Sequence, residues 1–132
     1  MISTVQYLSQ CETFFLATSE DDQPKLRPFG AIAEIEGKAY LCTNNTKNVY
    51  KQLLKNPKVQ IVGMLKDRTW IRVTGKAVPD HRREARVAFL ELLPGIKRMY
   101  TPDDNLFEVF YLEDVITELA TFHVNGYIMN RV

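Results

Sequence analysis

Alternating apolar and polar positions predict that most of the chain forms short strands. Apolar residues recur at every second position or in short runs through most segments, and elsewhere at every third or fourth position, as in amphipathic helices. Turn residues separate these segments. The predicted strands cover residues 12–19, 25–36, 39–43, 58–65, 69–78, 106–112 and 116–124. The predicted helices cover residues 3–10, residues 46–55, and about three turns that Asp80 caps and Pro94-Gly95 ends.

Hairpin connections join most of these strands, which favours antiparallel pairing. Short antiparallel strands hide their edges most easily by closing on themselves. The pattern therefore predicts a mainly β fold of the α+β type, an antiparallel barrel decorated with three short helices, in one domain over residues 1–132. A hairpin turn at residues 36–38 is expected to place the strand that carries Arg27 beside the strand that ends at Thr43.

Composition excludes several classes of protein. Seventeen basic and sixteen acidic residues give a net charge of +1, so charge predicts neither nucleic-acid nor membrane binding. We find no secretion signal and no apolar run of bilayer-spanning length, so a soluble cytoplasmic protein is expected. Cys11 and Cys42 are too few for a disulfide framework. No metal site is predicted, because His81 and His123 have no partners at ligand spacing.

The polar corner from Thr43 to Lys47, TNNTK, joins a strand to a helix and is the first candidate site. A helix N-terminus presents unpaired N–H groups and a partial positive charge, so it binds phosphate readily. The hydroxyl, amide and ammonium groups of this corner would add donors. The alternative is an ordinary N-cap made by Asn45 or Thr46, with Lys47 in water.

Two strands carry further candidates. Arg27 in KLRPFG lies on the half-buried face of its strand and needs an anionic partner, while Gly30 allows a flat ring to approach closely. An edge strand with alternating charge is the alternative. Trp70 and Arg72 in TWIRVTGK share one strand face. They could form a binding surface, with an aromatic plane beside a guanidinium. The alternative is a structural tryptophan whose neighbouring arginine is solvated. A phosphorylated aromatic cofactor would use both sites, with its phosphate at the polar corner and its ring beside KLRPFG.

These segments, in this order, resemble the FMN-binding split barrels related to pyridoxamine 5′-phosphate oxidase. The resemblance is carried by FFLATS, QPKLRPFGAI, KAYLCTNNTKNVYKQLLKNPKVQI and TWIRVTGKAV, and it continues more weakly through LFEVFYL and ITELATFH. It implies an antiparallel Greek-key split β-barrel of about six to seven strands. It also implies a homodimer with FMN at the subunit interface.

The resemblance also implies which residues meet the cofactor. It assigns the FMN phosphate to Arg27, Thr46 and Lys47, and the isoalloxazine ring to residues 28–31. Trp70 falls where the oxidase has a glutamine near the ring. The full implied set is Arg27, Pro28, Phe29, Gly30, Ala31, Cys42, Thr43, Asn44, Thr46, Lys47, Trp70 and Arg72.

The function expected from this resemblance is that of an FMN-dependent oxidoreductase acting on a small organic molecule. The alternatives are an F420-dependent reductase on the same barrel and a non-catalytic flavin- or haem-binding protein. Vitamin B6 oxidation is not expected. The oxidases have a tryptophan and an Arg-x-His type motif that handles the substrate phosphate, and the segment ATFHVNGYIMNRV contains neither. No residue stands out as a catalytic acid or base, and the electron donor is not predicted.

Overall fold

Eight antiparallel strands form one sheet in the computed structural model, which describes residues 3–132 and adds three α-helices and a 3₁₀ helix. The strands are β1 (Phe14–Glu20), β2 (Gln23–Phe29), β3 (Ala33–Ile35), β4 (Lys38–Asn44), β5 (Lys58–Met64), β6 (Trp70–Asp80), β7 (Phe107–His123) and β8 (Gly126–Arg131). The helices are α1 (Thr4–Ser9), α2 (Asn48–Lys55), α3 (Arg83–Leu92) and the 3₁₀ helix Pro94–Arg98. None of these helices has the length and apolar character needed to cross a bilayer.

A short link closes the sheet into a split barrel. The strand order is β2-β1-β5-β6-β7-β4-β3, with β8 pairing on β7. The two ends of this order, β2 and β3, are consecutive in the chain and are joined only by residues 30–32. The Cα atoms of Phe29 and Ala33 can therefore be no more than about 14 Å apart. The sheet must curl until its ends meet, which confirms the predicted mainly antiparallel barrel.

The hydrophobic core forms two clusters, which lie on opposite faces of β4 and β7. One packs β1, β5 and β6 against α1 and α2, and its Leu16 and Ile61 side chains are fully buried. The other lies under α3, around Phe89 and Phe107. The predicted α1 is confirmed with its capping box, in which Ser3 and Gln6 exchange hydrogen bonds between side chain and backbone.

The predicted long strand over residues 25–36 is wrong. Residues 30–32 interrupt it, since Pro28 lacks an N–H donor and Gly30 follows closely. β2 therefore pairs with β1, and β3 alone pairs with β4 through the hairpin, from Ala33 opposite Tyr40 to Ile35 opposite Lys38. The expectation that the hairpin sets Arg27 beside β4 is wrong too.

The predicted turn at residues 113–114 is also wrong, because β7 runs on through it. The register against β6 shifts between Thr74 and Lys76, and Asp114 takes a positive φ of 54°. The turn-forming residues thus make a bulge instead of a chain reversal. β8 was not predicted, although Asn-Gly at residues 125–126 is a strong hairpin signal.

Asp80 ends β6 and does not cap α3, as the sequence had suggested, because Arg82 occupies the N-cap position. The buried carboxylate of Asp80 accepts hydrogen bonds from the Tyr40 hydroxyl at 2.7 Å and from Arg82 Nε at 3.1 Å. Arg82 also pairs with Glu36 at 3.2 Å. Hydrogen bonding to Arg82 is the main reason that the pKa of Asp80 is lowered to about 2. The network ties the β3–β4 turn to the start of α3.

We expect Asp80→Asn to lower the free energy of unfolding by about 2 kcal/mol at pH 7. The folded pKa lies below the ordinary value of 3.8, so the carboxylate stabilises the fold above pH 4 and loses this contribution as the pH falls toward 2. Urea unfolding across this range should therefore show wild type and variant converging. The exposed Asp103, paired with Arg83, supplies the control Asp103→Asn, which should change stability less. An equal loss at pH 2 and pH 7 would contradict the electrostatic explanation.

Candidate functional site

A cleft of about 350 Å³ opens where the two ends of the curled sheet meet. The end of β2 and the following link form one wall, and the end of β4 with the start of α2 forms the opposite wall. The 3₁₀ helix covers a third side. The lining residues are Arg27, Pro28, Phe29, Gly30, Ala31, Cys42, Thr43, Lys47, Val49, Ile96, Met99 and Tyr100.

The polar corner after β4 is built differently from an N-cap. The Asn44 side-chain oxygen accepts hydrogen bonds from the amide and the hydroxyl of Thr46, so it holds the turn together. The Asn45 side chain donates to the Asn105 carbonyl at 2.8 Å. Lys47 occupies the N-cap position of α2 and makes no side-chain capping bond. Both predicted caps are therefore wrong, and the helix N-terminus keeps its attraction for an anion.

Thr43 supplies an independent sign of a ligand at this corner. The residue is only 6% exposed and lines the cleft. Its Oγ1 atom is buried and has no hydrogen-bond partner within residues 3–132. Leaving a buried hydroxyl unpaired costs about 1–3 kcal/mol. A ligand oxygen in the cleft would remove this cost.

Arg27 links the sheet to α2. Its guanidinium donates to the Leu16 carbonyl at 3.1 Å and to Gln52 Oε1 at 2.7 Å. The same Gln52 oxygen accepts a hydrogen bond from the buried Thr18 hydroxyl at 2.6 Å. These contacts hold the arginine at the edge of the cleft and use two of its five N–H donors. The others are available to a ligand.

Cys42 lies on β4 in the cleft wall as a partly buried free thiol. Burial raises the pKa of this thiol to about 12, and the positive charge of Lys47 offsets the effect only in part. The Cys42 thiol is thus neutral at physiological pH. Because nucleophilic cysteines need a lowered pKa, we assign Cys42 to the wall of the cleft and not to catalysis.

Two groups of the residues implied by the resemblance do not line this cleft. Asn44 and Thr46 are not lining residues and hydrogen-bond to each other. Trp70 and Arg72 lie on the outer face of the sheet, where the Trp70 ring packs edge-on against Tyr127 and Arg72 pairs with Glu118 at 3.1 Å. The other implied residues all line this one cleft.

The 3₁₀ helix and the two residues that follow it contribute lining residues that the sequence did not identify. Ile96, Met99 and Tyr100 all line the cleft, and the Tyr100 hydroxyl accepts a hydrogen bond from Asn44 Nδ2 at 2.6 Å. These positions follow Pro94, where the helical pattern ends, and no motif marks them. Only the folded chain places them opposite α2.

A second, larger cleft of about 480 Å³ lies between the β1–β2 turn and α2. Its Lys55 already pairs with Asp21 at 3.2 Å, so that charge is compensated within the chain. The orphaned hydroxyl of Thr43 belongs to the smaller cleft. We therefore regard the smaller cleft, which combines an apolar wall with a cationic end, as the functional site. These features fit a flat ring that carries an anionic tail.

We expect Thr43→Val to raise the free energy of unfolding of the ligand-free protein by about 1 kcal/mol, because it removes an unpaired buried hydroxyl at constant shape. Thr18→Val is the matched control. Its hydroxyl is equally buried but bonded to Gln52, so its loss should destabilise the protein by about 1 kcal/mol. Denaturant unfolding measures both changes. Destabilisation by Thr43→Val would show that the hydroxyl is already paired.

Comparison with known proteins agrees with this architecture. The chain is 43% identical to a NimC/NimA family protein from Clostridium acetobutylicum, with a TM-score of 0.89, covering 96% of this chain and 88% of that one. General stress protein 26 from Bacillus anthracis shares the fold at 19% identity, with a TM-score of 0.71 and coverage of 99% and 95%. A pyridoxamine 5′-phosphate oxidase-related, FMN-binding protein from Nostoc punctiforme does so at 14% identity, with a TM-score of 0.63 and coverage of 96% and 87%.

A family profile also matches most of the chain. No curated protein sequence matches the chain. The profile of the pyridoxamine 5′-phosphate oxidase family matches residues 3–109, which include both walls of the cleft and its 3₁₀ helix. The chain therefore belongs to the pyridoxamine 5′-phosphate oxidase family, and its 43% identity over most of both sequences also makes it a member of the NimC/NimA family.

Proposed function

We propose that this protein is a homodimeric, cytoplasmic FMN-binding oxidoreductase that acts on a small organic molecule. The observation that carries the proposal is the unpaired, buried Thr43 hydroxyl beside an uncapped helix N-terminus and Lys47. Together they offer a phosphate three kinds of donor at one end of a cleft. The family membership and the description of the Nostoc relative as FMN-binding support the same cofactor.

The residues of the cleft divide between the two ends of such a cofactor. Lys47, Thr43 and the first N–H groups of α2 would hold the phosphate, with Arg27 at the edge. The wall from Pro28 to Ala31 would lie along the isoalloxazine ring. This wall leaves space for a ring, since a Cβ atom added to Gly30 would meet no heavy atom within 4 Å. Bound FMN would supply hydride transfer, while the protein supplies position and excludes water.

A homodimer would explain the residues left outside the cleft. On the outer face of the sheet, Phe15, Leu26 and Met64 are 42%, 69% and 54% exposed. Trp70 and Arg72 share that face, because Met64 and Val62 lie opposite them in the sheet register. The face continues to the cleft, since Pro28 lies opposite Phe15. A second subunit seated there would cover apolar surface and bring Trp70 and Arg72 toward its partner's cofactor.

The first experiment measures binding of FMN and of riboflavin, which lacks the phosphate, by flavin fluorescence. We expect Lys47→Ala to weaken FMN binding about tenfold or more, because a hydrogen bond to a charged group contributes about 1.5–3 kcal/mol. Riboflavin binding should not change. Lys51→Ala, one turn further along α2, is the control and should leave both affinities unaltered.

The same titration tests the rival cofactors. A colourless wild type that takes up no FMN would refute the proposal, and displacement of FMN by F420 at lower concentration would favour the deazaflavin. A flavin-loaded protein should oxidise NADH, or another donor, with quinones or nitro compounds as acceptors. Stoichiometric cofactor without any turnover would identify a non-catalytic flavin protein instead.

The dimer is tested separately by sedimentation velocity. Leu26→Glu should convert the dimer to a monomer, because it places a charge on the exposed apolar face. Leu92→Glu is the matched control, since that leucine is 54% exposed but lies on α3. A wild type that sediments as a monomer at micromolar concentration would contradict the homodimer.

A further inference from the structure

Tyr100 is held rigidly at the cleft but has no role in the site described so far. Its ring packs on Phe107 with a centroid distance of 5.2 Å, and Phe107 packs edge-on against the fully buried Phe89. Its backbone N–H donates to the Ile96 carbonyl at 3.1 Å, just after the end of the 3₁₀ helix. The phenol is therefore fixed both by packing and by its backbone.

The hydrogen-bond pattern at the polar corner determines what the Tyr100 hydroxyl can do. The Thr46 amide N–H can donate only to an oxygen, so the atom it meets at 3.0 Å is Asn44 Oδ1. The Asn44 NH₂ group must then face Tyr100, and it meets the phenolic oxygen at 2.6 Å. An NH₂ group can only donate, so the Tyr100 oxygen is the acceptor of this bond.

The phenolic proton of Tyr100 consequently needs a different acceptor. Among the described residues, 3–132, no group accepts a hydrogen bond from this hydroxyl. Accepting a bond from Asn44 also polarises the phenol and strengthens it as a donor. Tyr100 and Lys47 both line the cleft, and the Lys47 backbone N–H donates to the carbonyl of Asn44, so the hydroxyl that Asn44 holds lies toward the Lys47 end of the cleft.

We infer that Tyr100 donates its phenolic proton to a phosphate oxygen of the bound cofactor, with Asn44 and Thr46 as positioning residues that hold the phenol in the donating orientation. The inference rests on the proposed FMN site. It also accounts for Asn44 and Thr46, which do not line the cleft themselves: they act on the phosphate through Tyr100. A neutral donor adds a hydrogen bond without adding to the positive charge of Lys47 and Arg27.

The test compares FMN with riboflavin in Tyr100→Phe, which keeps the ring and removes only the hydroxyl. We expect FMN binding to weaken about tenfold and riboflavin binding to stay constant, since only FMN offers the phosphate. Tyr111→Phe is the control, because Tyr111 lies on β7 outside the cleft. Circular dichroism melting should show that each variant remains folded.

A double-mutant cycle with Asn44→Ala tests the positioning role. If Asn44 acts through the phenol, Asn44→Ala should weaken FMN binding in the wild type and much less in Tyr100→Phe. Unchanged FMN affinity in Tyr100→Phe, or an equal loss for FMN and riboflavin, would overturn the inference while leaving the FMN proposal intact. A wild type that binds no flavin would overturn both.

Discussion

The short link between β2 and β3 is the constraint on which the site depends. Because only residues 30–32 join the two ends of an otherwise continuous strand order, the sheet must curl until those ends face each other. The cleft lies where they meet. One wall is the end of β2 with the link itself, and the other is the corner where β4 passes into α2. The curling of the sheet that closes the barrel therefore also forms the cleft.

The polar end of the cleft illustrates a division between stability and binding. Elsewhere in residues 3–132 the buried side-chain polar atoms have partners, as in the Asp80 carboxylate with Tyr40 and Arg82, or the Gln52 side chain with Thr18. At the corner it leaves the Thr43 hydroxyl without a partner in the described residues and α2 without a side-chain cap. Unpaired donors of this kind lower stability and are retained where a ligand completes them.

The two faces of the sheet have different tasks. The inner face supplies the core that packs against α1 and α2, whereas α3 covers the opposite face of β4 and β7, again through almost entirely buried side chains. The outer face leaves Phe15, Leu26 and Met64 partly exposed and reaches the rim of the cleft at Pro28. An apolar surface that continues to the edge of a site suits a partner that completes the site. Trp70 and Arg72 lie on this surface and therefore do not line the cleft of their own chain.

Local pattern by itself determined most of the strand-forming segments, the helix α1 and the polar corner after β4, because each depends on neighbouring residues. It could not separate a turn from a bulge at residues 113–114, since the same residue types favour both and the pairing with β6 decides between them. Only the tertiary structure decided that Tyr100 reaches Asn44 across 56 positions of sequence and that Thr43 has no partner within residues 3–132. Such contacts depend on how the sheet curls, and that curvature is a property of strand pairing across the whole chain.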